Sequence, residues 1–140
     1  MRKKVLLLLL LALSLCMFAS CANMVRPMNE KNAIQKLDAL QAKYEAKNYT
    51  VIRADEAEVA GFAEGLVSGE GLSLKGAVVG MLDYTYTERD TGKMVMGTAI
   101  AVTDKADAKT IASYYESYDD TGDVTVEVSV NGRLVEIVRS

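Results

Sequence analysis

Two sets of side chains in this sequence have the types and spacing of metal ligands. Asp119, Asp120 and Asp123 surround a glycine, and carboxylate oxygens gathered on one loop are ligands that Ca²⁺ accepts. Met94 and Met96 place two thioethers on one face of a predicted strand, and soft sulfur ligands suit Cu(I). The carboxylate spacing is not that of an EF-hand loop, so a solvated loop is the alternative for the acidic cluster. Methionines that fill the core are the alternative for the sulfur pair.

Tyrosine supplies most of the aromatic residues, with seven copies in the chain. Tyr84 and Tyr86 lie on one predicted strand, and Tyr114, Tyr115 and Tyr118 lie near the end of a predicted helix. Tyr114 and Tyr118 are four residues apart, which places them on one side of that helix. Because aromatic residues are enriched at interfaces, this pair predicts an interaction surface. Ordinary residues at the margin of the core are the alternative.

Composition excludes several classes of chemistry. The chain has no histidine, which removes imidazole metal ligation and Ser-His triads. It also lacks the glycine-rich phosphate-binding motifs, CxxC and GxSxG. The net charge of −3 argues against nucleic acid as a partner. The sequence therefore predicts no cofactor and favours a non-catalytic binding or interaction module. A metal handler or a carboxylate-based enzyme is the alternative.

The first twenty residues have the layout of a secretory signal peptide. Arg2, Lys3 and Lys4 form a basic start, residues 5–18 are apolar apart from one serine, and small residues follow. A membrane-spanning helix needs about 20 apolar residues. The 18 residues from 5 to 22 approach that length, so an uncleaved membrane anchor is an alternative.

The end of this segment, Phe18-Ala19-Ser20-Cys21, resembles the lipobox of bacterial lipoproteins. In that motif a small residue precedes a cysteine that becomes the new N-terminus. The resemblance implies cleavage before Cys21 and lipid on Cys21. It also implies a location on the cell membrane or outer membrane, with the domain outside the cytoplasm. Acyl chains anchor by burying methylenes, at about 0.8 kcal/mol each. Ordinary cleavage after Ala22, which would release a free secreted protein, is the alternative.

Behind the signal peptide of residues 1–20, the sequence predicts a lipidated tether over residues 21–28 and a single domain over residues 29–140. Eight extended residues reach at most about 27 Å, so the domain is expected close to the bilayer. Cleavage would remove three basic residues and no acidic one, which takes the net charge from −3 to −6. Attachment would therefore depend on lipid and not on basic residues. The expected partners are the membrane and a protein of the envelope; the oligomeric state is open, with pairing along the final strand as one possibility.

Apolar residues at helical spacing predict three helices. The first covers residues 29–48, the second runs from Asp55 to about residue 67 with Glu58 completing a capping box, and the third begins at Asp104. The second and third helices match in cap and apolar stripe at an offset of 49 residues. The match suggests the hypothesis that the two strand-helix units arose by duplication. The alternative is that any two capped helices that pack on a sheet have similar sequences.

Alternating patterns predict five strands, of which three cover residues 49–54, 74–88 and 94–103. The fourth and fifth predicted strands form a hairpin around Asn131-Gly132, with Val128 opposite Val135. Two strand-helix-strand units joined by a hairpin indicate a ferredoxin-like split βαβ (βαββαβ) antiparallel sheet of the α+β class, with an extra N-terminal helix and a C-terminal β-hairpin. Both unit helices are expected on one face of the sheet.

The lipobox resemblance makes a direct prediction about Cys21. Replacing Cys21→Ser removes the thiol that would be acylated, so incorporation of radiolabelled fatty acid into the chain is expected to disappear. Cys16→Ser is the matched control, because Cys16 lies within the apolar segment that is cut away, and it should label like the unsubstituted chain. A wild-type chain that never labels would contradict the lipoprotein interpretation.

Overall fold

The strands form one antiparallel sheet in a computed structural model that describes residues 28–117 and 124–140. Helix α1 covers residues 28–46. The elements that follow are β1 (Thr50–Arg53), α2 (Glu56–Glu64) with a π-helical extension (Gly65–Gly69), β2 (Val78–Thr87), β3 (Met94–Val102), α3 (Lys105–Ser117), β4 (Val126–Asn131) and β5 (Leu134–Arg139). The sheet order is β1-β2-β3-β5-β4. The predicted α+β class is confirmed. No helix within the described ranges has the length and apolar character needed to cross a membrane.

The ferredoxin-like arrangement of two crossover units is not confirmed. Helix α3 joins β3 to β4, which are parallel to each other because each is antiparallel to the intervening β5. Helix α2, in contrast, joins β1 to its immediate antiparallel neighbour β2. The two strand-helix-strand units therefore differ in topology, and the sheet gives the proposed duplication no support.

Both faces of the sheet are covered by helices. Helices α2 and α3 lie on one face, as predicted, and their apolar stripes pack on the valines and isoleucines of β3 and β5. Helix α1 packs on the opposite face, where Leu37 and Tyr44 meet Leu82 of β2 and Ala99 of β3. The sequence left the position of α1 open. In the structure α1 forms the third layer, and residues 99–102 of β3 are consequently buried on both sides.

A register shift near the start of β2 changes which residues share a face. The sequence predicts Val78 on the same face as Leu82 and Tyr84. The pairing with β3 instead slips between Val78 and Gly80, so Val78 lies in the core under α2 and α3 whereas Leu82 lies under α1. An extra residue of this kind reverses the alternation along a strand. Gly80 fits there because a β-carbon would press on the Leu37 side chain.

The C-terminal hairpin is confirmed, but its predicted register is wrong by two residues. Val128 pairs with Ile137 instead of Val135, and Asn131 pairs with Leu134. Gly132 has φ 63°, while Asn131 stays in the strand. A type I′ turn over Asn131-Gly132 would need positive φ at both residues. The turn residues are instead Gly132 and Arg133, and positive φ at the first of them alone is typical of a II′ turn. The final strand β5 is internal to the sheet, so it has no free edge for the pairing that the sequence raised as one possibility; β4 and β1 are the edges.

The capping box of α2 is confirmed, and the equivalent acid of α3 has another partner. The Glu58 amide donates to Asp55 Oδ1, and Glu58 Oε2 accepts from the Asp55 amide, both at 2.8 Å. Asp107 is only 1% exposed, and its carboxylate accepts from the amides of Lys75 and Gly76 at 2.8 Å each. Asp107 therefore fastens the loop that precedes β2 to the first turn of α3.

Replacing Asp107→Asn is expected to lower the free energy of unfolding by about 2–4 kcal/mol. The amide has one acceptor oxygen for the two N–H donors, and the second, buried oxygen position becomes an NH2 group that faces another donor. Urea unfolding measures the change. Asp90→Asn, in the exposed β2–β3 turn, is the control and should shift the value by less than about 0.5 kcal/mol. Equal effects of the two changes would contradict the structural role of Asp107.

Candidate functional site

Four tyrosines gather on the α1 side of the sheet at the end where α1 finishes. Tyr44 comes from the last turns of α1, Tyr49 from the connection to β1, and Tyr84 and Tyr86 from alternate positions of β2. The Tyr49 ring stacks on Tyr86 with centroids 4.2 Å apart and on Tyr44 at 5.3 Å, and Tyr44 lies 4.2 Å from Tyr84. We call these residues the tyrosine cluster. Such ring pairs add stabilisation beyond the area that they bury.

Glu136 of β5 joins the cluster through its carboxylate. Tyr44 Oη donates to Glu136 Oε1 at 2.5 Å, and Tyr84 Oη donates to the same oxygen at 2.9 Å. Burial, followed by the hydrogen bond to Glu136, raises the pKa of Tyr44 to about 12. Burial and the hydrogen bonds with Tyr44 and Glu136 raise the pKa of Tyr84 as well. Both phenols therefore stay neutral donors at physiological pH.

A glycine in β3 makes room for this arrangement. Gly97 pairs with Tyr84 across the ladder, and a β-carbon at Gly97 would overlap the Tyr84 ring. The ring thus lies flat across the neighbouring strand, where any larger residue would displace it. The position of the Tyr84 hydroxyl beside Glu136 depends on that close approach.

A cleft of about 690 Å³ opens beside the tyrosine cluster. Strand β2 runs two residues past the point where β1 begins, since Thr50 pairs with Thr85. The notch left beside Tyr86 and Thr87 forms the cleft, and we call it the β1–β2 cleft. Its walls come from the α1–β1 connection, the top of β2 and the β2–β3 turn: Lys47, Asn48, Tyr49, Thr50, Thr85, Tyr86, Thr87, Glu88, Arg89 and Met94.

The lining of the β1–β2 cleft suits recognition of a polar partner. Lys47 Nζ lies 5.8 Å from the Tyr49 ring centroid, a cation–π distance, and Arg89 adds a second cation. Threonine hydroxyls and the two tyrosines provide hydrogen-bonding and apolar surface. The single carboxylate in the wall, Glu88, accepts a hydrogen bond from Thr91 Oγ1 at 2.8 Å. The cleft can therefore hold an anionic group next to a planar or apolar one.

The predicted sulfur pair is exposed and does not fill the core. Met94 is 63% exposed and Met96 is 48% exposed, so their interpretation as core residues is wrong. Helices α2 and α3 cover the other end of that sheet face, over Ile100 and Val102. Met94 reaches the β1–β2 cleft. The two thioethers share a face, as predicted, and their binding of Cu(I) stays a prediction.

The other predicted site residues fall in two groups. Tyr114 packs partly buried against the core, with its ring 5.1 Å from that of Tyr115 in an edge-on contact; its role in an interface stays a prediction. Several predictions concern residues outside the described ranges: the signal peptide, lipidation at Cys21, the residue Tyr118 and the acidic cluster Asp119, Asp120 and Asp123. Within 28–117 and 124–140, no three potential acidic or thiol ligands converge on a metal position.

The sequence did not indicate the tyrosine cluster as a site. Tyr84 and Tyr86 attracted attention by their type, but Tyr44 belongs to the apolar stripe of α1, and Glu136 is one acid within an apolar strand. An acidic residue in a buried strand was the one available signal, since a buried carboxylate needs hydrogen-bond donors. Comparison of the chain with protein-family models, curated proteins and solved structures finds no match.

Replacing Glu136→Gln is expected to lower the pKa of Tyr44 from about 12 towards its ordinary value near 10. The amide carries no charge to oppose the phenolate. The raised folded-state pKa of Tyr44 also gives the native fold a stability that is complete below pH 10 and is lost as the pH rises towards 12. Absorbance of tyrosinate and urea unfolding across this range measure both effects. A Glu127→Gln control should leave the Tyr44 titration unchanged.

Proposed function

We propose that this chain is a small membrane-anchored lipoprotein of the cell envelope that binds a partner through the β1–β2 cleft without catalysis. The signal-peptide layout and the lipobox-like Phe18-Ala19-Ser20-Cys21 support the anchor. The lining of the cleft supports binding, because it combines two cations, hydroxyl groups and aromatic surface in one concave place.

The observation that carries the proposal is the separation between the start of the domain and the cleft. Arg133 Nη2 donates to Asn29 Oδ1 at 3.0 Å, so the first turn of α1 lies at the β4–β5 turn. The last turn of α1 leads to Lys47 in the cleft wall. A helix of this length spans about 28 Å. A lipid on Cys21 would therefore hold the β4–β5 turn near its attachment point and leave the cleft unobstructed.

A Cu(I) handler is the second candidate, and the exposure of Met94 and Met96 favours it. Two thioethers at i and i+2 of a strand leave the remaining coordination positions to another ligand. Titration with Cu(I) under reducing conditions separates the two candidates. Binding that is lost in a Met94→Leu, Met96→Leu chain would support the metal handler, and equal weak binding by both chains would count against it.

A photo-crosslinking residue in place of Thr87, which lines the cleft, is expected to capture a partner in intact cells. The same residue in place of Ala60, exposed on α2, is the control and should capture none. Adding Arg89→Glu should reduce the yield at position 87 several-fold, because it reverses a charge of the cleft wall. Equal capture at both positions would contradict a role for the cleft. Loss of Cys21→Ser chains from the membrane fraction tests the anchor separately.

A further inference from the structure

We propose that the outer edge of β4 pairs with β4 of a second copy of this chain, antiparallel, about a two-fold axis at Val128. We call this surface the β4 edge. This pairing would require neither lipid at Cys21 nor a ligand in the cleft. The β4 edge lies on the opposite side of the sheet from β1.

The hydrogen-bonding groups of the β4 edge are available to a second strand. Thr125 and Ser140 exchange both backbone hydrogen bonds, at 2.8 and 3.0 Å. In an antiparallel pair such hydrogen-bonded positions alternate, so the N–H and C=O groups of Val126, Val128 and Val130 point away from β5. The β4–β5 register runs without a shift, and β4 contains no proline. β4 therefore lacks the proline and the bulge that commonly block edge-to-edge pairing.

The sequence of β4 selects one register for a symmetric pair. The outward-pointing groups require valines to pair with valines. With Val128 opposite Val128 of the second copy, Val126 faces Val130, and Glu127 faces Ser129. A shift of one residue about the axis would place Glu127 opposite itself, which is unfavourable for like charges. The register centred on Val128 keeps six hydrogen bonds and avoids that contact.

Charges on α3 complement the same two-fold axis. Lys105 and Lys109 lie in the first half of α3, Glu116 lies near its end, and no basic residue occupies the last turn. This order opposes the helix dipole. An antiparallel α3 from a second copy would bring Lys109 beside Glu116 of that copy, and it would place each charge near the helix end that favours it.

The position of α3 puts those charges at the edge. Helix α3 packs on β4 and β5. Its Asp107 points to the loop before β2, on the inner side. Lys105, Lys109 and Glu116 recur at helical spacing on the opposite side, and all three are exposed. The other sheet edge, β1, has only four residues and offers no such charge pattern.

Oxidative crosslinking of the full chain in cells tests the axis. Val128→Cys places two thiols opposite each other at a Cα separation of about 5.5 Å, within the range of a disulfide. A disulfide-linked dimer is expected. Ile52→Cys, exposed on β1, is the control, and its yield of disulfide-linked dimer should be at least about fivefold lower. Absence of the dimer, equal yields, or a crosslink to a different protein would each overturn the proposal.

Charge reversal tests the α3 contact with the Val128→Cys chain. Lys109→Glu alone or Glu116→Lys alone replaces two attractive contacts per dimer by repulsive ones, so the dimer yield should fall about five- to tenfold. The double change Lys109→Glu, Glu116→Lys should restore it. Circular dichroism checks that each variant is folded. Single and double changes with the same yield would overturn the proposed arrangement.

Discussion

The second half of β3, residues 99–102, is buried on both faces, and the helices on the two sides of the sheet make that burial possible. On one face β3 offers Gly97, Ala99 and Ala101, over which α1 and the Tyr84 ring approach closely. On the other it offers Ile100 and Val102 to α2 and α3. A strand with small residues on one side and branched residues on the other requires a different helical layer for each, since each face must exclude water. Burial of both faces of this segment therefore needs a helical layer on each side of the sheet.

Local features of the fold could be predicted because their determinants lie within a few residues. The capping box of Asp55 and Glu58 and the apolar stripes of the three helices are of this kind. The hairpin register was missed because a slip of two residues leaves every side chain on its own face. Only the backbone of Gly132 separates the alternatives. The strand order was not predicted correctly for another reason. The sequence pattern of a helix is the same whether it crosses over to a parallel strand or returns to the adjacent antiparallel strand.

The site depends on contacts that no local pattern specifies. Glu136 meets Tyr44 across 92 residues and Tyr84 across 52. Those contacts form only because α1 lies on the same side of the sheet as Tyr84 and because β5 lies beside β3. The sequence indicated neither placement. The β1–β2 cleft likewise arises from a difference in strand length, which is visible only once β1 and β2 are in register. Residue type alone indicated the tyrosines as candidates, and the fold determines which of them meet in the tyrosine cluster.

The contact between Asn29 and Arg133 has a further consequence for how paired molecules would sit on a bilayer. It fixes the start of the domain at the turn end of β4. In the proposed dimer, a two-fold axis normal to the sheet would reverse the strand direction in the second copy, so the first turns of the two α1 helices would lie at opposite ends of a shared ten-stranded sheet. If each chain carries lipid at Cys21, as proposed, two acyl anchors in one leaflet would hold the strands of the dimer along the membrane surface. The two clefts would then lie at opposite edges of the shared sheet, each on the β1 side of its own copy.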